Sequence, residues 1–229
     1  MTPRWLPLES NPDVMNEYLS KLGVPASSKS AFVDVWGLDA EALQFIPRPV
    51  HALLLLFPVD AVAKGDPIGT VVETGSDGTA VMPFYTKQTI ANACGTIALV
   101  HALANAGIDL GSGPIHRIVT RLAPLTPMER AKALETDTEL STLHEESSLE
   151  GQTDAPPLED EVDLHFIAFV HVGGKVWELD GSKAGPVLHG DAADNDAFVT
   201  AAAGVVQKFM ARDPDATRFT VVALAAQEE

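Results

Sequence analysis

Apolar and polar positions come in blocks along this chain, and their period changes from block to block. After Ser10-Asn11-Pro12, a helix start with proline at or near the first helical position, Val14, Met15, Tyr18, Leu19 and Leu22 fall on one helical face and Gly23 supplies the stop. Ala31 to Trp36 predicts a strand, and Asp39 to Ile46 a short helix closed by Pro47 and Pro49. The unbroken apolar run Ala52 to Val59 predicts a buried strand. Asp60 to Ala80 carries four glycines and Pro67, and is expected to be a surface loop.

From Gln88 the pattern turns from polar to apolar. Ile97, Ala98, Val100, His101, Leu103 and Ala104 are apolar or small nearly all round, which marks a buried central helix that begins near Cys94. Thr126-Pro127-Met128-Glu129 is a capping box opening a helix toward Glu135. Glu145 to Asp163 is acidic, bears proline and glycine, and has few apolar anchors, so it is expected to lack structure of its own. Leu164 to Val172 and Lys175 to Asp180 read as two strands joined at Gly173-Gly174, a strong hairpin signal. Asp196 to Ala211 predicts a helix and Arg218 to Ala225 a last strand. Helices and strands are mixed and the hairpin is antiparallel, so the fold class is α+β, and the length suits a single domain over residues 1–229.

Composition narrows the function classes. A net charge of −17 lacks the basic footprint of a nucleic-acid binder, although it would speed encounter with a basic partner or simply keep the protein soluble. The first residues lack the basic start and apolar stretch of a signal peptide, and the longest apolar run falls short of the ~20 residues that span a bilayer. A soluble protein away from membranes is expected, and one cysteine, which cannot form an intramolecular disulfide, favours a reducing compartment. No HExxH, CxxC or glycine-rich phosphate loop occurs, so neither a metal nor any other cofactor is expected.

That lone Cys94 is either an inert buried thiol or a nucleophile at a helix N-terminus, where the helix dipole and a nearby imidazolium would favour the thiolate. The hairpin bears on the choice. With a two-residue turn at Gly173-Gly174, Val172 pairs with Lys175, and His165 and Asp180 become diagonal neighbours on one face of the sheet. Such neighbours are ~7–8 Å apart, within reach of a hydrogen bond between the two side chains. A carboxylate there would orient the imidazole toward a thiol, and the order Cys, His, Asp then points to acyl transfer. Gln88, six residues before Cys94, could join the Cys94 backbone N–H as an oxyanion hole. His101 is expected to be a buried hydrogen-bonded residue rather than a base, and His171 shares the face of His165 but approaches the turn.

The run Gln88…Asn92-Ala93-Cys94-Gly95…Leu99-Val100-His101-Ala102-Leu103-Ala104 resembles the active-site signature of the ubiquitin C-terminal hydrolases, a family of cysteine peptidases, in their small single-domain form. The likeness extends through Arg4 to Glu9, Phe32 to Asp34, Pro47 to Pro49, Glu150 to Thr153, Val162 to Ile167 and Glu178 to Gly181, nearly the whole chain. It implies a papain-like catalytic arrangement on a central antiparallel sheet flanked by helices, with a knotted backbone. It implies Cys94 as nucleophile, His165 as general base and then acid, Asp180 as its orienter, and Gln88 as oxyanion donor. It makes Glu145–Asp163 a crossover loop that passes small adducts and flexible tails and excludes large folded ones.

The same resemblance implies ubiquitin as partner, held by Pro7, Leu8, Asp13, Leu164, Phe209 and Phe219. The two arginines of ubiquitin's tail would seek carboxylates, and its terminal Gly-Gly would lie in a narrow channel. Preference for the ubiquitin-like modifier Nedd8 stays open, as does a ubiquitin-binding module with weak activity. A monomer in the cytoplasm, with the nucleus also open, completes the expectation; without residues beyond Glu229, no regulatory tail is indicated.

Overall fold

The structure, a computed structural model, describes residues 4–59, 66–73, 81–152, 157 and 162–227. Among these lie seven strands, β1 (Ser30–Asp34), β2 (Val50–Pro58), β3 (Thr70–Val71), β4 (Leu164–Val172), β5 (Lys175–Leu179), β6 (Val187–Asp191) and β7 (Thr220–Ala226). Six α-helices accompany them: α1 (Pro12–Lys21), α2 (Cys94–Asn105), α3 (Pro114–Leu122), α4 (Pro127–Glu135), α5 (Thr138–Ser148) and α6 (Asn195–Met210). The strands form one sheet in the order β1-β7-β2-β4-β5-β6-β3, with every neighbouring pair antiparallel.

The sheet separates two apolar layers, which is why its central strands read as unbroken apolar runs. Along β2, Ala52 and Leu54 join the layer built with α1 to α5, while Leu53, Leu55 and Phe57 join the layer under α6. On β4, Phe166, Ala168 and Val170 divide from Ile167 and Phe169 in the same way. Side chains of a strand alternate between faces, so a strand covered on both sides has no polar face to show. Residues Cys94 to Leu103 of α2 are all buried, as expected of a helix inside one layer.

Several expected elements are present as read. Asn11 caps α1, its side chain accepting from the Asp13 N–H, and Thr126 and Glu129 make the reciprocal capping box of α4. The hairpin turns at Gly173-Gly174, both with positive φ, and its ladder runs from Val172–Lys175 to Ala168–Leu179.

Others differ. The strand from Ala31 stops at Asp34, and Trp36 lies 89% exposed beyond it. Asp39 to Ile46 gives only a 3-10 turn, Ala42–Phe45, with the Asp39 carboxylate accepting from the Glu41 and Ala42 N–H groups ahead of it. The expected loop Asp60–Ala80 contains β3, a two-residue edge strand on β6; the rest of it falls largely outside the described residues. Glu145–Asp163 is structured at its start, where α5 continues to Ser148. Asp137 caps that helix, and its inward residues Leu140, His144, Ser147 and Ser148 are mostly polar, so no apolar period announces it. The loop proper begins at 149 and its middle lies outside the described residues.

Candidate active site

Cys94 is the first residue of α2 and is 9% exposed. Two local features place it there. Asn92 adopts a left-handed backbone (φ 61°), a conformation that asparagine tolerates better than most residues, and so turns the chain sharply into the helix. Gly95 then lets the strap Arg4–Leu8 cross the helix start: a Cβ on Gly95 would lie 2.8 Å from the Leu8 Cβ.

His165 stands near the start of β4, opposite Phe57 of β2, whose ring meets the imidazole edge-on at 5.8 Å. Its Nε2 is 2.8 Å from Asp180 Oδ1, and the Cys94 thiol is near enough to the ring to act on its charge. Since Nε2 serves the carboxylate, Nδ1 is the nitrogen left for sulfur. Burial pushes the imidazole pKa down, but the contacts with Asp180 and Cys94 and their charges outweigh it and raise the value to about 10. Burial pushes Asp180 up, and the contacts with His165 and Ser182 overcome this and hold it at about 2. The pair is therefore an imidazolium and a carboxylate across neutral pH.

Asp180 lies just past the end of β5 in a turn anchored on several sides. Ser182 donates to the same Oδ1 through its backbone N–H (2.9 Å) and its hydroxyl (2.7 Å). The Tyr85 hydroxyl donates to the Asp180 carbonyl at 2.8 Å, and the Gln88 N–H donates to the Gly181 carbonyl at 2.9 Å. Gly181 makes the last contact possible, since a Cβ there would come within 2.8 Å of the Gln88 Cβ. The segment leading to Cys94 and the turn carrying Asp180 are thus one hydrogen-bonded unit. Ser182 and Tyr85 escape a reading of the sequence, because only the folded turn reveals what they hold.

The Gln88 carboxamide uses an N–H to bond the Ile90 carbonyl at 3.1 Å. His101 has the structural role expected of it. It is fully buried, stacks on Tyr85 at 5.3 Å and accepts from the Thr86 N–H at 3.0 Å, and burial brings its pKa down to about 4. His171 bonds the Ala192 carbonyl and stacks on Phe198, away from the thiol. No cluster of three or more metal-ligating side chains occurs among the described residues. No helix among them is long and apolar enough to cross a membrane.

Of the residues expected to hold a partner, Asp13 is exposed, and Pro7, Leu164 and Phe219 are partly so. Phe209 is a correction. It is 1% exposed, packed at 5.3 Å on Phe57 inside the α6 layer, because the inward face of α6 carries it into the core. Leu8 is likewise buried against Gly95, and shapes the strap from beneath.

A thiol at a helix start, an imidazole turned toward it and a carboxylate behind the imidazole define the site of a cysteine peptidase. Comparison with known proteins gives the family. Residues 5–211 match the model of ubiquitin carboxyl-terminal hydrolase, family 1, and the chain belongs to that family. It is 47% identical over 215 residues to a ubiquitin carboxyl-terminal hydrolase of Aplysia californica, covering 93% of this chain and 97% of that one. It is 37% identical over 221 residues to the human isozyme L1, covering 95% and 96%. The fold is similar to that of the Trichinella spiralis UCH37 catalytic domain bound to ubiquitin vinyl methyl ester. The TM-score there is 0.78 at 22% identity, covering 98% of this chain and 96% of that one.

Proposed function

We propose that this protein hydrolyses bonds to the C-terminal glycine of ubiquitin, releasing small adducts or flexible peptides. The observation that carries the reading is the 2.8 Å bond between His165 and Asp180, with the ring's other nitrogen given to Cys94 at the start of α2. Similarity to hydrolases named for ubiquitin supports the choice of substrate.

At rest His165 already holds the proton of the Cys94 thiol, and the sulfur attacks the glycine carbonyl carbon as a thiolate. The resulting oxyanion is held by the Cys94 backbone N–H and a Gln88 amide N–H. As the tetrahedral intermediate collapses, His165 gives its proton to the leaving group and a thioester remains. Water, deprotonated by His165, then attacks the thioester, and the sulfur departs as a thiolate beside the imidazolium that has re-formed. Asp180 keeps the ring aligned throughout.

The 149–163 loop sets the size of what can leave. Ubiquitin's tail carries two arginines, and carboxylates are at hand: Asp163, Asp213 and Asp215 line a cavity of about 340 Å³ beside Leu164. Asp163 already holds Arg218 there, a pair the tail would have to rearrange or pass.

The test is release of a fluorophore from the C-terminus of ubiquitin by wild type and Cys94→Ala, with a Nedd8 fluorophore in parallel. Fast release from ubiquitin that vanishes in the variant is the expected result. Faster release from Nedd8 would reassign the substrate, and no release from either, with ubiquitin still bound, would make the protein a binding module.

A further inference from the structure

We propose that His144 is a positioning residue: it docks the Arg4–Leu8 strap and the root of the 149–163 loop onto the helix of the nucleophile, and so keeps the substrate face in register with Cys94. The proposal rests on the hydrolase reading above, in which strap and loop face the substrate.

His144 belongs to α5 and lies four residues before the helix ends and the loop starts. Its Nε2 is 2.8 Å from the Leu6 carbonyl and its Nδ1 2.8 Å from the Thr96 hydroxyl; Thr96 in turn meets the Tyr18 hydroxyl at 3.1 Å. The chemistry of the groups fixes the direction of this chain. A carbonyl only accepts, so Nε2 carries the proton. Burial pulls the His144 pKa down to about 4, so the ring is neutral and Nδ1 must accept. Thr96 therefore donates to His144, and Tyr18 donates to Thr96.

Tyr18, Thr96 and His144 are each no more than 1% exposed, so every donor and acceptor in the chain is dry and costly to leave unpaired. One imidazole thus touches the strap, the catalytic helix two residues after Cys94 and, through Thr96, α1. The Trp5 ring lies against it at 4.4 Å.

Arg4, Trp5 and Leu6 line a cavity of about 360 Å³ together with Ser141, His144 and Glu145. The strap is held to the segment before the nucleophile by the Trp5 N–H, which donates to the Ala91 carbonyl at 2.9 Å, and to α5 and α2 by the imidazole. The loop root is tied to the same neighbourhood by the Glu150–Lys21 ion pair and by Gly151, which packs on Glu9. The catalytic residues themselves make no use of His144, which is why its effect should fall on substrate binding rather than on sulfur chemistry.

Two amides of different reach test this. Asn in place of His144 can replace Nδ1 but is too short for the Leu6 carbonyl, whereas Gln reaches it. His144→Asn should raise KM for the ubiquitin fluorophore by about tenfold with kcat within about twofold, the cost expected of one buried hydrogen bond, and His144→Gln should recover most of the loss. Alkylation by iodoacetamide, which reports Cys94 alone because the chain has one cysteine, should change less than about twofold in either variant. Ser147→Ala, which removes a buried hydroxyl without a hydrogen-bond partner, is the control with wild-type kinetics.

Equal KM values for the Asn and Gln variants, or a lower Tm with KM unmoved, would overturn the proposal. Should His144→Asn not fold, Thr96→Val in the free protein decides by hydrogen exchange. Faster exchange in both the strap and residues 149–152 supports the coupling, and a change confined to α2 refutes it. Wild-type protein without turnover would instead refute the hydrolase reading, and the exchange experiment alone would then judge the coupling.

Discussion

His165 and Asp180 join side chains at 2.8 Å beyond the end of the ladder between their strands, whose last pair is Ala168–Leu179. Asp180 therefore depends on its turn rather than on the sheet, and Ser182 supplies two of the three hydrogen bonds on Oδ1. Ser182→Ala should lower kcat by about 3- to 10-fold at constant KM, since one bond to the ionised carboxylate is lost. Asp180→Ala should lower it by about 10²-fold or more. Steady-state kinetics with the ubiquitin fluorophore would show both, and an unchanged kcat in Ser182→Ala would remove Ser182 from the mechanism.

The same pair shapes stability at alkaline pH. The folded-state pKa of His165 is raised from 6.5 to about 10, so the folded protein holds a proton that the unfolded chain has released. The contribution is complete below pH 6.5 and is lost as pH rises toward about 10. Asp180, lowered from 3.8 to about 2, contributes above pH 3.8 and loses that contribution as pH falls through about 2. The urea midpoint of wild type should exceed that of Asp180→Asn most between pH 4 and 6.5, and the gap should narrow toward pH 10.

Acid acts through other histidines. Burial holds His101 and His144 at about 4, and half-buried His51 is shifted in the same direction. Between pH 6.5 and 4 the unfolded chain binds protons that these rings refuse, so stability falls as pH drops through that window. Neither His165 nor Asp180 adds a slope there. Urea midpoints at pH 6.5 and 4.5 should show the fall, and His144→Gln should make it shallower; an equal fall in that variant would contradict the assignment.

Gly95→Ala would bring a methyl group to 2.8 Å from the Leu8 Cβ. Overpacking costs roughly 1–3 kcal/mol, and the better helix propensity of alanine offsets about 1 of this. A net loss of up to about 2 kcal/mol is expected in urea unfolding, together with a higher KM as the strap is lifted.

The candidate site is legible where its residues carry a local signal. Cys94 begins an all-round apolar helix, and Gly173-Gly174 fixes a register from which the meeting of His165 with Asp180 can be worked out. What was hidden lies where partners are distant or patterns polar. The inward stripe of α5 is largely polar, and β6 is short, partly exposed and interrupted by Gly190. α3 carries its own signal: Pro114 opens it, and Ile115, Ile118 and Leu122 form its buried stripe. Phe209 likewise continues the helical stripe of Phe198, Ala202, Val205 and Val206, and that period marks it as core.

The place of β7 between β1 and β2 has a consequence for biosynthesis. On a ribosome, residues 30–58 emerge early, yet the slot between these two strands stays open until residues 220–226 are made. The nucleophile is translated some seventy residues before its base and still longer before the strand that closes the sheet. A nascent chain thus carries an unpartnered thiol through most of its synthesis, and peptidase activity should arise late, in one cooperative step with closure of the barrier between the two apolar layers.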